Sequence, residues 1–249
     1  MNEVLVGVIA AAAAAILALG VPRLIASLPE PEPPALPQDP ADDTAYQARL
    51  RAEGPKELYA DIARLGWVLP TAVAVSALTG FVLGWRIGDL WWALAGVVPL
   101  APVGTALAII DARTRLLPTR LIWPTTVAFV GYAAAADLVR GDPGHLVQAV
   151  VLGLVAYLFY FVLWFIYPAG MGFGDVRLSA LLGVSLGWLG PNPWFLGLMG
   201  GFFLSAAYSL VLMARLGRGA LKEHVPFGPF MLAGAAVSVL VSGWIDLLA

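Results

Sequence analysis

Eight long apolar stretches, set apart by short charged or Pro/Gly-rich joints, divide this chain. They cover residues 4–21, 67–85, 91–110, 121–139, 146–167, 176–189, 194–214 and 227–247. A helix needs roughly 20 apolar residues to cross a bilayer core. Backbone in lipid must also satisfy its own polar groups, which a helix does. The pattern therefore predicts an all-α, polytopic membrane bundle with about eight transmembrane helices. Composition agrees: 60% of the 249 residues are hydrophobic and only 12% are charged, where a soluble domain carries about a quarter charged. The sixth stretch is short at 14 residues, so it is read as tilted, shielded by its neighbours, or extended by its glycine-rich lead-in. All nine tryptophans lie near stretch ends, as in an aromatic belt at the headgroup level.

Three regions follow. Residues 1–21 are the first transmembrane segment; with no Lys or Arg before Arg23, it lacks the basic start of a cleaved signal peptide. Residues 22–66 form a loop whose first part, Pro29 to Pro40, carries six prolines in twelve residues and predicts an extended, semi-rigid linker. A short helix is expected over 45–53, capped by Asp43 or Thr44, and a second from Lys56 running into the next span. The loop is read as a spacer, with docking of a substrate or partner as the alternative. Residues 67–249 are a seven-span membrane core.

Charge sets the orientation. Twelve of the fourteen Lys and Arg fall on the odd-numbered connections, leaving Arg86 and Arg140 on the other face. The positive-inside rule makes the first face cytoplasmic and puts both termini outside. Asp111 and Asp175, 64 residues apart, then open toward the same cytoplasmic side. The chain has no cysteine, which excludes disulfides and cysteine-based zinc sites. The net charge of −2 gives no basis for a nucleic-acid partner.

Ionisable groups at the edge of an apolar span are costly and tend to mark chemistry or transport. Asp175 follows three glycines in Gly170-Met171-Gly172-Phe173-Gly174-Asp175. It reads plainly as a helix N-cap; functionally, glycines there let an extended peptide approach the backbone. Asp111 ends the third span, and pairing with Arg113 or Arg115 is its plain reading. An acid at a helix C-terminus opposes the macrodipole, however. Two facing carboxylates can share a proton and activate water. The helix dipoles favour Asp175 as ionised base and Asp111 as proton donor. Pro226-Phe227-Gly228-Pro229-Phe230 opens the last span and reads as a helix-entry turn or a third site element. His145 and His224 are read as solvated, Asp137 and Asp246 as interfacial.

At these elements the chain resembles the prepilin peptidase family, the type IV leader peptidases among the GxGD membrane aspartyl proteases. The family typically has Gly-Met-Gly-x-Gly-Asp-x-Lys-Leu where Gly170 to Leu178 stand here, with Arg177 in place of the lysine. Pro118, seven residues after Asp111, and Pro226 to Phe230 also match. The resemblance implies cleavage, at the cytoplasmic membrane face, of the leader peptide of a pilin or pseudopilin precursor bearing a basic leader and an apolar helix. Asp111 and Asp175 would be catalytic. Gly170, Gly172, Gly174, Arg177, Pro118, Pro226, Gly228 and Pro229 would support the site or the substrate. Neither metal nor organic cofactor is expected, and membrane lipid is the other partner. Two departures stand out. This is a short form without the two cysteine pairs of many bacterial members, which makes N-methyltransferase activity doubtful. Thr119 stands where the family often has Asp or Asn. A small secondary transporter and an inactive membrane scaffold of a pilus or secretion assembly are the competing readings. The first predicts a repeated motif, absent here, and the second needs neither aspartate.

Overall fold

The structure, a computed structural model, describes residues 2–31, 57–168, 171–216 and 226–245. Every regular element among them is a helix: α1 Glu3–Ala18, α2 Val21–Ala26, α3 Tyr59–Arg64, α4 Val68–Ile87, α5 Trp91–Val97, α6 Leu100–Thr114, α7 Thr119–Arg140, α8 Gly144–Ile166, α9 Phe173–Leu189, α10 Pro191–Leu216 and α11 Gly228–Ile245. Over its described residues each of the eight apolar stretches is mostly helical, the third broken by a turn at Val98 and Pro99. Six helical segments are long and apolar enough to cross a membrane, with α11 a shorter apolar helix and α9 only 17 residues long. Large apolar side chains such as Leu138, Val139, Phe165 and Phe203 stand on the outer surface. That is a cost in water and none in lipid, so the chain is a polytopic, multi-pass membrane bundle.

Small residues hold the helices together, since lipid supplies no hydrophobic drive between spans. A Cβ on Gly80 would lie 2.6 Å from the Ala10 carbonyl oxygen, and one on Gly84 2.6 Å from that of Val6, so α1 and α4 touch through backbone. Gly183 meets Ala156 and Gly153 between α8 and α9 in the same way. Polar groups add stitches: Ser76 and Thr105 lie 3.2 Å apart across α4 and α6, and the Trp194 indole N–H donates to the Leu152 carbonyl at 3.0 Å.

The buried side chains form two clusters, one toward each end of the bundle. The first gathers Ile25, Ile62, Val68, Ile110, Leu117, Tyr160 and Leu178. The second gathers Ala14, Trp92, Val97, Phe129 and Trp188. Trp188 is fully buried, so it is not the belt residue its position suggested. It lies edge-on to Trp92, Phe129 and Tyr132. Asp137 is likewise buried at 1% exposure rather than interfacial. It accepts the Leu146 N–H at 2.6 Å and the Trp188 indole N–H at 3.3 Å, with Arg140 3.8 Å away. Arg140 stacks on Trp92, which also meets the His145 ring. His145 is therefore half-buried beside Asp142 and not simply solvated.

The first connection is described only at its two ends; the helix expected over 45–53 lies outside the described residues. α3 does not run into the second span as expected, because Leu65 is extended and Gly66 follows it before α4. The ends of this connection are fastened together. Glu30 accepts the N–H groups of Tyr59 and Ala60 at 2.6 and 2.9 Å, capping α3 from 29 residues away. Burial and the adjacent Glu30 charge raise the Tyr59 hydroxyl above its ordinary pKa. Glu57 pairs with Arg113 in the last turn of α6.

Candidate active site

Asp111 and Asp175 arrive at one place from helices of opposite polarity. Asp111 sits in the last turn of α6 and Asp175 in the first turn of α9. Both are buried, at 5% and 6% exposure, and close enough for the Asp111 charge to act on Asp175. Each is held by a backbone amide next to a glycine-rich turn. Gly172 is the extended N-cap of α9, and its N–H donates to Asp175 Oδ2 at 3.2 Å. The Gly228 N–H donates to Asp111 Oδ2 at 3.0 Å, across 117 residues of sequence.

The plain readings of the two acids hold only in part. Asp175 does reach back to a helix-capping N–H, but as the third residue of the helix and with one oxygen. Its Oδ1 is buried and has no hydrogen-bond partner among the described residues. A buried carboxylate oxygen left unpaired costs about 1–3 kcal/mol or more, which a structural cap alone does not explain. Asp111 is not an exposed charge beside Arg113, since that arginine pairs with Glu57. Arg115 ends α6 in the left-handed region, φ 55°, and its N–H closes onto the Asp111 carbonyl at 2.8 Å.

Three segments interlock around one side chain, Leu117. A Cβ on Gly174 would lie 2.8 Å from Leu117 Cβ. One on Gly228 would lie 2.8 Å from Asp111 Oδ2 and 3.4 Å from Leu117 Cδ1. Glycine at both positions is thus a matter of close approach, with Leu117 wedged between the two turns. Pro118 follows as the extended N-cap of α7. Arg177 then ties the start of α9 to the start of α7: its Nη1 donates to Thr119 Oγ1 at 2.6 Å while its guanidinium lies over the Phe173 ring.

Pro226-Phe227-Gly228-Pro229 is anchored by aromatic packing. Phe227 lies against Phe202 and Tyr160, with centroids 5.2 and 6.2 Å away, and its carbonyl accepts the first amides of α11. Gly228, rather than Pro229, begins that helix. Gly170 and His224 lie outside the described residues. The site so assembled contains Asp111, Asp175, Gly172, Gly174, Gly228, Pro118 and Arg177. Leu117 and Thr119 join it: Thr119 stood out from sequence only as a departure from the family pattern, and Leu117 not at all, because an apolar residue beside a proline carries no signal of its own. Among the described residues no group of three or more His, Cys, Asp or Glu is placed to hold a metal ion.

The family model of the Type IV leader peptidase family matches residues 98–214, which include both aspartates. Among curated proteins, the chain is 31% identical over 194 residues to a prepilin leader peptidase/N-methyltransferase of Dickeya chrysanthemi, covering 72% of this chain and 63% of that protein. A protein of the same description from Bacillus subtilis (strain 168) is 30% identical over 180 residues, 71% of this chain and 67% of its own length. One from Burkholderia pseudomallei (strain 1026b) is 32% identical over 140 residues, of which this chain spans only 42%. The chain thus spans less than two thirds of the length of some of these relatives and about two thirds of another. No solved structure matches it. With identity of this extent over most of its length, the chain belongs to the type IV leader peptidase family.

Proposed function

We propose that this chain is a membrane-embedded aspartyl endopeptidase that removes the leader peptide from pilin-like or pseudopilin precursors. The observation that carries this reading is the pair of buried carboxylates, Asp111 and Asp175, interacting at the meeting point of two helix ends. The relatives' names supply the substrate class. The transporter and scaffold readings are not favoured by that kinship.

In this reading one carboxylate takes a proton from water as the water oxygen attacks the scissile carbonyl carbon. The other gives its proton to the carbonyl oxygen. Collapse of the tetrahedral species breaks the C–N bond, and the leaving amine takes the proton first removed from water. Asp175, at the positive end of α9, serves as the base, and Asp111, at the negative end of α6, as the acid. Gly172 and Gly228 fix the two carboxylates, and Leu117 sets the spacing between the turns that carry them. The charge asymmetry supports a site facing the cytoplasm, with both termini outside a bacterial cytoplasmic membrane. N-methyl transfer is left out, because the resemblance ties it to longer members with a cysteine-bearing region and this sequence has no cysteine.

The test is incubation of the purified chain with purified pilin-like and pseudopilin precursors in detergent, read by mass spectrometry. The reading expects a new N-terminus at the junction of leader and apolar segment, with no added methyl group. Intact precursors throughout would overturn it.

A further inference from the structure

Below the two aspartates lies a partly open cavity of about 230 Å³ between α4, α6, α9 and α11. It continues the faces on which the aspartates stand. On α6, Asp111 is followed down the helix by Ala108, Thr105 and Ala101, spaced by three and four residues and so on one stripe; the last three line the cavity. On α9, Asp175 is followed at two turns by Leu182, and then by Ser185, Leu186 and Leu189, all lining residues. On α11 the lining begins at Pro229, next to the Gly228 that holds Asp111, and runs to Val239, roughly 15 Å at 1.5 Å per residue. The cavity thus begins one turn below Asp111, at Ala108, and beside Gly228, at Pro229, and continues the carboxylate site as an apolar cleft.

No charged residue lines it. Two of its hydroxyls are turned onto their own helices: Thr105 donates to Ala101 and Ser185 to Leu182. A polar occupant would lose its hydration without finding partners. The cavity is partly open, so a helix roughly 10 Å across lies against it rather than inside it. It has room for the side chains on one face of such a helix.

We infer that this cleft seats one apolar face of the substrate's membrane segment, directly beyond the scissile bond held at Asp111 and Asp175. This inference rests on the peptidase reading. A polypeptide whose backbone lies across the two carboxylates and continues toward the membrane interior runs along the Asp111 and Asp175 stripes. Its side chains there meet only apolar walls. The site thereby selects an apolar segment on one side of the cut and leaves the other side outside the cleft.

The chain contains no cysteine, so single cysteines report position cleanly. Ala108→Cys and Ala236→Cys place a thiol in the cleft, while Val127→Cys, 68% exposed on α7, places one on the outer surface. Each is combined with Asp175→Asn and mixed with a precursor that the wild type cleaves, carrying one cysteine in its apolar segment. Short-span thiol cross-linking is expected at Ala108→Cys and Ala236→Cys and not at Val127→Cys. In otherwise wild-type chain, Ala236→Phe, which fills the cleft, is expected to raise KM about tenfold with kcat within threefold. No cross-link at either cleft position, or equal linking at Val127→Cys, would overturn the inference and leave the cleft to a lipid acyl chain. Because the precursor is one the wild type cleaves, that result would count against the cleft and not against the peptidase reading.

Discussion

Gly228→Ala isolates what holds Asp111. The added methyl would lie 2.8 Å from Asp111 Oδ2 and 3.4 Å from Leu117 Cδ1. A carbon–oxygen contact that short must open by several tenths of an ångström. The carboxylate is the mobile partner, because Leu117 is fixed from its other side by Gly174. Moving it also stretches the 3.0 Å bond from the Gly228 N–H. A hydrogen bond to a neutral carboxyl is worth about 0.5–1.5 kcal/mol, which is roughly 2- to 13-fold in rate at 1.36 kcal/mol per decade. Misplacement of a reacting group by about 1 Å costs on the order of 100-fold. We therefore expect kcat to fall about 10- to 100-fold, with KM within threefold and the unfolding temperature in detergent nearly unchanged. The control is Gly131→Ala, on an outward face of α7 with no atom within 4 Å of the new methyl, which should cleave like wild type. Initial rates on a purified precursor, normalised to folded protein by size-exclusion chromatography, make the comparison. Gly228→Ala activity within twofold of wild type would refute the claim that this amide positions Asp111.

Other predictions address the neighbouring contacts. Gly174→Ala sets two β-carbons 2.8 Å apart and should cost at least tenfold in kcat; adding Leu117→Gly, which removes the opposing carbon, should recover part of the loss in the same assay. Thr119→Val removes the hydroxyl that accepts from Arg177 and should lower stability by about 1 kcal/mol, seen as a lower midpoint of thermal unfolding. Asp137→Ala leaves the Leu146 amide and Trp188 indole without their acceptor and should destabilise by about 1–3 kcal/mol. Activity per folded molecule should stay at the wild-type level, because Asp137 bonds to Trp188 in the second cluster and touches neither aspartate.

What the sequence could tell was governed by range. Apolar stretches are local, so the helical segments were legible, and α9 exceeds its predicted extent only because Phe173, Gly174 and Asp175 enter the helix after the Gly172 cap. The aspartates were legible as acids where acids are costly. Gly228, which holds Asp111 across 117 residues, was not; of the two local guesses, Arg113 is taken by Glu57, while Arg115 does lie close enough for its charge to act on Asp111. Leu117 matters because two glycine turns from other helices close on it, which no spacing rule contains. Trp188 and Asp137 were misjudged together, each looking interfacial alone. They are buried because the indole N–H and the carboxylate meet, as buried polar groups require. Arg177, which replaces the family's lysine, and Thr119, another departure from the family pattern, turn out to bond to each other, a relation visible only after folding.

The central claim is that Asp111 and Asp175 act as one catalytic pair. The most direct test is cleavage of a purified precursor by wild type, Asp111→Asn and Asp175→Asn reconstituted at equal level in liposomes. The account predicts processing by wild type and loss of at least 1,000-fold in either variant, on the order of what removing one essential member of a catalytic unit costs. Processing within tenfold of wild type by either amide variant would contradict it.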